Sequence, residues 1–253
     1  DVSDWLDAGG TLPQIEQLIL DAERAEQAGK LQLLTPAELL VMPKPRWIIE
    51  DMLVEDSIAC IVGPPGTYKS FIALSVHFSV ASGLDWHGRI ASAGPSVYVI
   101  AEGVRGMSTR VAAWQGYMRR AAPESARFIA EPLQLANGAT DRMLEAIDRW
   151  GQQPRLIIVD TLARTAVGME ENSTREMGEY IAAADRIRRA TGACILFIHH
   201  VSRGAGTPRG STALEGAFDT IISVTNDADL ISVQCRKQKD SGEFHPFKLV
   251  PHV

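Results

Sequence analysis

Cysteine is scarce in this chain. Cys60, Cys194 and Cys235 are the three in 253 residues, each in an apolar, strand-like run and none at a metal-ligand spacing. That excludes a disulfide framework and a zinc module, and fits reduced thiols in a cytoplasmic core. No apolar run approaches the ~20 residues of a membrane span. Internal repeats and low-complexity tracts are absent too. A basic excess is missing: the net charge is −6, divided as −8 over residues 1–56 and +2 over the remainder. The acidity therefore belongs to the N-terminal part, and charge argues neither for nor against nucleic-acid binding by the rest. There is no initiator Met. A chain opening on Asp1 is expected to be an excised piece, so its start says nothing of targeting. What is present is the balance of a soluble globular protein, 45% hydrophobic and 22% charged, long enough for one large α/β domain with a small appendage.

The most informative stretch is residues 57–70, Ser-Ile-Ala-Cys-Ile-Val-Gly-Pro-Pro-Gly-Thr-Tyr-Lys-Ser. An apolar run ends in a tight loop, Gly63-Pro64-Pro65-Gly66-Thr67-Tyr68, followed by Lys69, Ser70 and an apolar helix from about Phe71 to Ser82. Strand, Gly-rich loop, Lys-Ser and helix, in that order, form a phosphate-binding P-loop. Backbone N–H groups and the positive end of the helix converge on one point, which suits a polyphosphate. Residues 63–71 are thus the expected nucleotide cradle. Lys69 would reach the β- and γ-phosphates and Ser70 would ligate Mg²⁺. Tyr68 stands where the usual pattern has Gly, which predicts either an altered loop or a ring laid near the nucleotide.

The chain otherwise reads as alternating helices and apolar strands. Leu12, Ile15, Leu18, Ile19 and Ala22 give one face of a helix, and Leu31–Pro45 reads as a linker with a short helix at Pro36–Leu40. Trp47, Ile48, Ile49, Met52 and Leu53 read as a segment docking on the main domain. Strands are expected at Ser96–Ala101, Arg127–Ala130, Arg155–Asp160, Ala193–Ile198, Thr220–Thr225, Leu230–Arg236 and Phe247–Val250. Helices are expected at about Ser108–Ala121, Thr140–Trp150 and Ser173–Thr191. This alternation predicts a mostly parallel twisted sheet with helices on both faces. The expected domains are a helical appendage and linker over 1–45 and a nucleotide-binding domain over 46–253.

Two carboxylates complete the chemistry. Leu156-Ile-Ile-Val-Asp160 is a Walker B strand, whose terminal Asp160 would hold Mg²⁺ opposite Ser70. Thr161 follows it, so no neighbouring Glu activates water. Glu102 closes a different strand, Val-Tyr-Val-Ile-Ala-Glu-Gly, and would point into the crevice at the strand ends, where it could deprotonate the attacking water.

A glutamate displaced in this way resembles the RecA-like ATPases. Further stretches carry the resemblance: Gly-Pro-Pro-Gly-Thr-Tyr-Lys-Ser-Phe, Val-Ile-Ala-Glu-Gly, Ile-Val-Asp-Thr-Leu-Ala-Arg, Glu-Asn-Ser-Thr, Ile-His-His-Val-Ser-Arg-Gly and Arg-Gly-Ser-Thr-Ala-Leu. From about Trp47 onward the chain resembles the RepA-like AAA family, RecA-fold replicative helicases of plasmid and phage type. That resemblance implies an α/β RecA-like P-loop NTPase using ATP and Mg²⁺. It implies a ring homo-oligomer, expected to be a hexamer, that translocates on single-stranded DNA in replication. It implies that His199 and His200 touch the γ-phosphate as a sensor. Lys237 or Lys239, on a late strand in Cys235-Arg-Lys-Gln-Lys-Asp240, would reach a neighbour's nucleotide as a finger. Arg164, Arg203 and Arg209, in the loops after two strands, would face the channel and contact phosphates. Glu170 and Glu171 weaken the first loop for that role, and neither loop has an aromatic residue for stacking. Asp1-Val2-Ser3-Asp4-Trp5-Leu6 with Gly9-Gly10 resembles the tail of a Toprim-type primase domain, implying a fused or associated primase; an ordinary helical cap is the other reading. The same fold also serves recombination and repair ATPases and nucleotide-dependent scaffolds, and the sequence leaves these open.

Overall fold

Four apolar strands with no polar alternation must be covered on both faces, and the computed structural model shows them so. It describes residues 33–42, 44–201, 212–227, 230–239 and 241–252. The chain divides into two packed units, Asp1–Lys44 and Pro45–Val253. The expected helix within 1–30, the primase-like residues, Arg203 and Arg209 all lie outside the described residues.

In the first unit, Pro36–Leu40 forms a short helix. Thr35 and Glu38 close it with a reciprocal capping box, and Pro36 sits in its first turn, where a missing N–H is harmless.

In the second unit, strands β1 (Trp47–Ile49) and β2 (Leu53–Val54) pair as a two-stranded antiparallel sheet. Ile48, Ile49, Met52 and Leu53 are buried, which explains the apolar segment seen in the sequence. The other described strands are β3 (Ile58–Gly63), β4 (Ser96–Ile100), β5 (Ala126–Ile129), β6 (Leu156–Asp160), β7 (Cys194–His200), β8 (Thr220–Asp227), β9 (Leu230–Gln238) and β10 (Phe247–Leu249). They form an eight-stranded sheet in the order β10-β9-β8-β3-β7-β6-β4-β5. From β8 to β5 every pairing is parallel, and β9 and β10 are added antiparallel at one edge. Ile61, Leu196, Ile198 and Tyr98 pack under the helix Lys69–Ser82 with Ile72, Leu74 and Phe78. Cys60, Val62, Val159 and Phe197 pack on the opposite face against Met143 and Ile147 of the helix Thr140–Trp150 and Tyr180 and Ile187 of the helix Thr174–Thr191. This is the α/β, RecA-like arrangement expected from the alternation of elements.

Two details depart from the sequence reading. The helix after β4 spans Val104–Met118 rather than Ser108–Ala121. Gly103, at φ 69°, turns the chain straight into it, and Arg119, at φ 50°, ends it. A one-turn helix, Leu162–Thr165, follows β6 where only loop was expected. Cys60 and Cys194 are buried free thiols, and burial pushes the Cys194 thiol up to about 12. No helix among the described residues is long and apolar enough to cross a membrane.

Candidate active site

The parallel strands bring their carboxyl ends to one edge, and the chemistry collects there. β3 enters the P-loop at Gly63, which is packed too tightly for any side chain: a Cβ there would lie 2.1 Å from the Val224 carbonyl oxygen of β8. Gly66 turns the loop at φ 80°. Tyr68, at φ 64°, is the residue before the helix and adopts the left-handed conformation that glycine takes without strain. The loop therefore keeps its course through Tyr68 by bearing backbone strain. The Tyr68 ring lies outward against Phe71, with centroids 5.9 Å apart.

Lys69 is buried. Its ammonium donates to the Gly63 carbonyl at 2.8 Å, the Pro64 carbonyl at 2.7 Å and the Thr67 hydroxyl at 3.3 Å. Burial pulls its pKa down to about 8, although Asp160, Cys60 and Glu102 oppose that shift. These are weak, replaceable ligands for a cation, as a lysine that must reach phosphates requires.

Asp160 ends β6, separated from the P-loop strand by β7. It is buried, and burial pushes its carboxyl up. The Tyr98 and Ser70 hydroxyls and the more distant Arg110 pull it down, whereas Glu102 adds to the rise. Tyr98 Oη donates to Asp160 Oδ2 at 2.7 Å. Among the described residues Asp160 Oδ1 has no hydrogen-bond partner. A buried, orphaned carboxylate oxygen beside Ser70 is what a Mg²⁺ would satisfy. Mg²⁺ takes few protein oxygens and keeps water and phosphate oxygens for the rest, so a donor set of two residues is enough for it.

Glu102 stands half-exposed just beyond β4. Its Oε2 accepts from Arg164 Nε at 3.2 Å, and its Oε1 lies 3.6 Å from His200 Nε2, too far for a hydrogen bond. His200 is held below its ordinary pKa by burial first and by Lys69 second, so it is neutral at pH 7 and an ion pair with Glu102 is not formed there.

The structure thus brings together Lys69, Ser70, Asp160, Glu102 and His200. It does not bring in the other candidates. His199 alternates to the opposite face of β7 from His200 and is buried, because successive strand residues point to opposite sides. Lys237 and Lys239 lie at the other edge of the sheet. In the ladder Lys237 faces Ile221, at the amino end of β8, while the P-loop leaves the carboxyl end of β3. Lys237 Nζ donates to the Glu215 and Gly216 carbonyls at 2.8 and 3.2 Å, at the end of the helix Thr212–Ala217. Lys239 pairs with Asp219 at 2.9 Å. Within the chain both ammoniums are engaged in holding this edge together. Arg164, expected to face nucleic acid, instead meets Glu102.

Two residues at the site were missed in the sequence. Tyr98 shares a face of the sheet with Asp160 and pairs in register with Ile158, so counting back from Glu102 would have found it. Arg110 stacks on Phe71, with its guanidinium carbon 5.2 Å from the ring centroid, and its charge bears on both Asp160 and Tyr98. Only its spacing of eight residues from Glu102 marks it, and that is no pattern in itself.

Comparison with known proteins agrees with this geometry. A family model described as AAA domain matches residues 26–206. Among solved structures, the ATPase domain of a phage helicase superposes with a TM-score of 0.58 at 15% sequence identity, over 95% of each chain. At that identity the likeness is one of fold.

Proposed function

The chain belongs to the AAA domain family, and on that premise we propose that it hydrolyses ATP to drive movement on single-stranded DNA, as a ring of identical subunits. The observation that carries the catalytic part is the convergence of Lys69, Asp160 and Glu102 at one sheet edge, from three different strand ends.

Each group has one task. The P-loop N–H groups and the helix end cradle the phosphates. Lys69 exchanges its carbonyl partners for β- and γ-phosphate oxygens. Ser70 and Asp160 would hold Mg²⁺, which supplies charge neutralisation when bound. Glu102 accepts a proton from a water whose oxygen bonds to the γ-phosphorus, while the β–γ bridging oxygen leaves with the bonding electrons. His200, neutral and next to Lys69 and Glu102, is the hydrogen-bonding contact to the γ-phosphate. The resemblance to replicative helicases supports DNA as the track and a ring as the assembly.

A phosphate-release assay tests the reading. Lys69→Ala should lose nucleotide binding, while Glu102→Gln should bind nucleotide and fail to turn over. Wild-type-like turnover in both variants would sink the assignment. Single-stranded DNA should raise the wild-type rate, and micrographs with an ATP analogue should show closed rings. Open filaments would point instead to a recombination ATPase, and an unchanged rate with DNA to a scaffold.

A further inference from the structure

Glu102 Oε2 is taken by a side chain from another element, and that element is itself pinned. Arg164 lies on the one-turn helix Leu162–Thr165, directly after the Walker B strand. Its Nε meets Glu102 Oε2 at 3.2 Å, and Oε1 is left facing His200. Gln134, from the stretch after β5, spans the turn: its Nε2 donates to the Arg164 carbonyl at 2.9 Å and its Oε1 accepts from Val167 N–H at 2.9 Å. Below, Thr165 Oγ1 stands 2.5 Å from the buried Tyr180 hydroxyl and donates to the Leu162 carbonyl at 3.0 Å.

We propose that Arg164 is the positioning residue for Glu102, and that Gln134 fixes Arg164 in turn. The inference rests on Glu102 acting as general base. A glutamate at the end of a strand has three rotatable side-chain bonds, and a half-exposed one is free to swing. The guanidinium holds one oxygen and leaves the other as the acceptor for water. Small displacements of a reacting group cost large factors in rate, so the holder matters even though it touches neither ATP nor water. The segment that follows, residues 166–172, then has a direct mechanical line to the base: whatever moves it moves Arg164, and with it Glu102.

The test uses the full chain with Arg164→Ala, Arg164→Lys, Gln134→Leu and Glu102→Gln, measuring ATP turnover, affinity for a fluorescent ATP analogue and melting temperature. Arg164→Ala should lower kcat roughly ten- to a hundredfold with KM and analogue affinity unchanged. Arg164→Lys should recover part of the loss, and Gln134→Leu should show a smaller fall of the same kind. In the Glu102→Gln background, Arg164→Ala should add nothing, because the group it positions is gone. A kcat for Arg164→Ala at or above wild type, with Glu102→Gln inactive, overturns this inference and leaves the general base in place. Turnover retained in Glu102→Gln overturns both. An equal fall in kcat and analogue affinity would make Arg164 a nucleotide ligand and also refute the positioning role.

Discussion

Nucleotide affinity should weaken with rising pH, and Lys69 is the reason. With a pKa of about 8, its ammonium is about nine-tenths charged at pH 7 and about one-tenth charged at pH 9. The shift arises chiefly because burial disfavours the charged form. Phosphates bound beside it restore the charge, so binding takes up a proton above pH 8 and must weaken there. If only the ammonium form binds, Kd for a Mg-nucleotide rises about tenfold between pH 7 and pH 9, one decade per pH unit beyond 8. A phosphate's last ionisation lies near pH 6, and His200 is neutral over the same range, so neither supplies this slope. Equilibrium titration with a fluorescent ATP analogue at half-unit steps from pH 7 to 9.5 reads it directly. Lys69→Arg, whose guanidinium stays charged, should bind with a flat profile whatever its absolute affinity. A flat wild-type profile, or the same slope in Lys69→Arg, would refute the reasoning.

His77 is buried against Phe78, Tyr98 and Phe128 with Nδ1 2.7 Å from Ser96 Oγ, and burial pushes its pKa down to about 3. On acidification the unfolded chain binds this proton first, so the contribution is full above about pH 6.5 and fades towards 3. It amounts to about 3 kcal/mol lost between pH 7 and pH 4, and denaturant unfolding of His77→Leu should show a correspondingly smaller fall than wild type. Tyr68→Gly should relieve left-handed strain of about 1 kcal/mol and raise the melting temperature; a lower melting temperature would mean that the contact with Phe71 outweighs the strain. Lys237→Met should lower the melting temperature through loss of two carbonyl contacts, about 1 kcal/mol, while leaving nucleotide affinity alone; a collapse of turnover with unchanged stability would return Lys237 to the role of a finger.

The strands β3, β4, β6 and β7 were legible because a strand buried on both faces is written as an unbroken apolar run, and such runs are local. The P-loop was legible because its order is contiguous: strand, loop, Lys69, Ser70, helix. Even Glu102 and Asp160 could be read, since each closes an apolar strand whose end must lie at the ligand edge of a parallel sheet. Order in space was another matter. That β7 stands between the P-loop strand and the Walker B strand, and that β9 runs back so that Lys237 ends at the far edge, depends on pairings between distant residues that no local pattern encodes. Side-chain facing at a strand end was equally hidden: His199 and His200 look alike in the sequence, and only the register of β7 on β3 assigns one to the core and the other to the site. Arg164 shows the limit most plainly. A loop arginine after a Walker B strand reads as a contact for phosphates outside. The turn that Gln134 and Tyr180 hold brings it back onto Glu102, because a charged side chain takes the partner that the tertiary structure places within its reach.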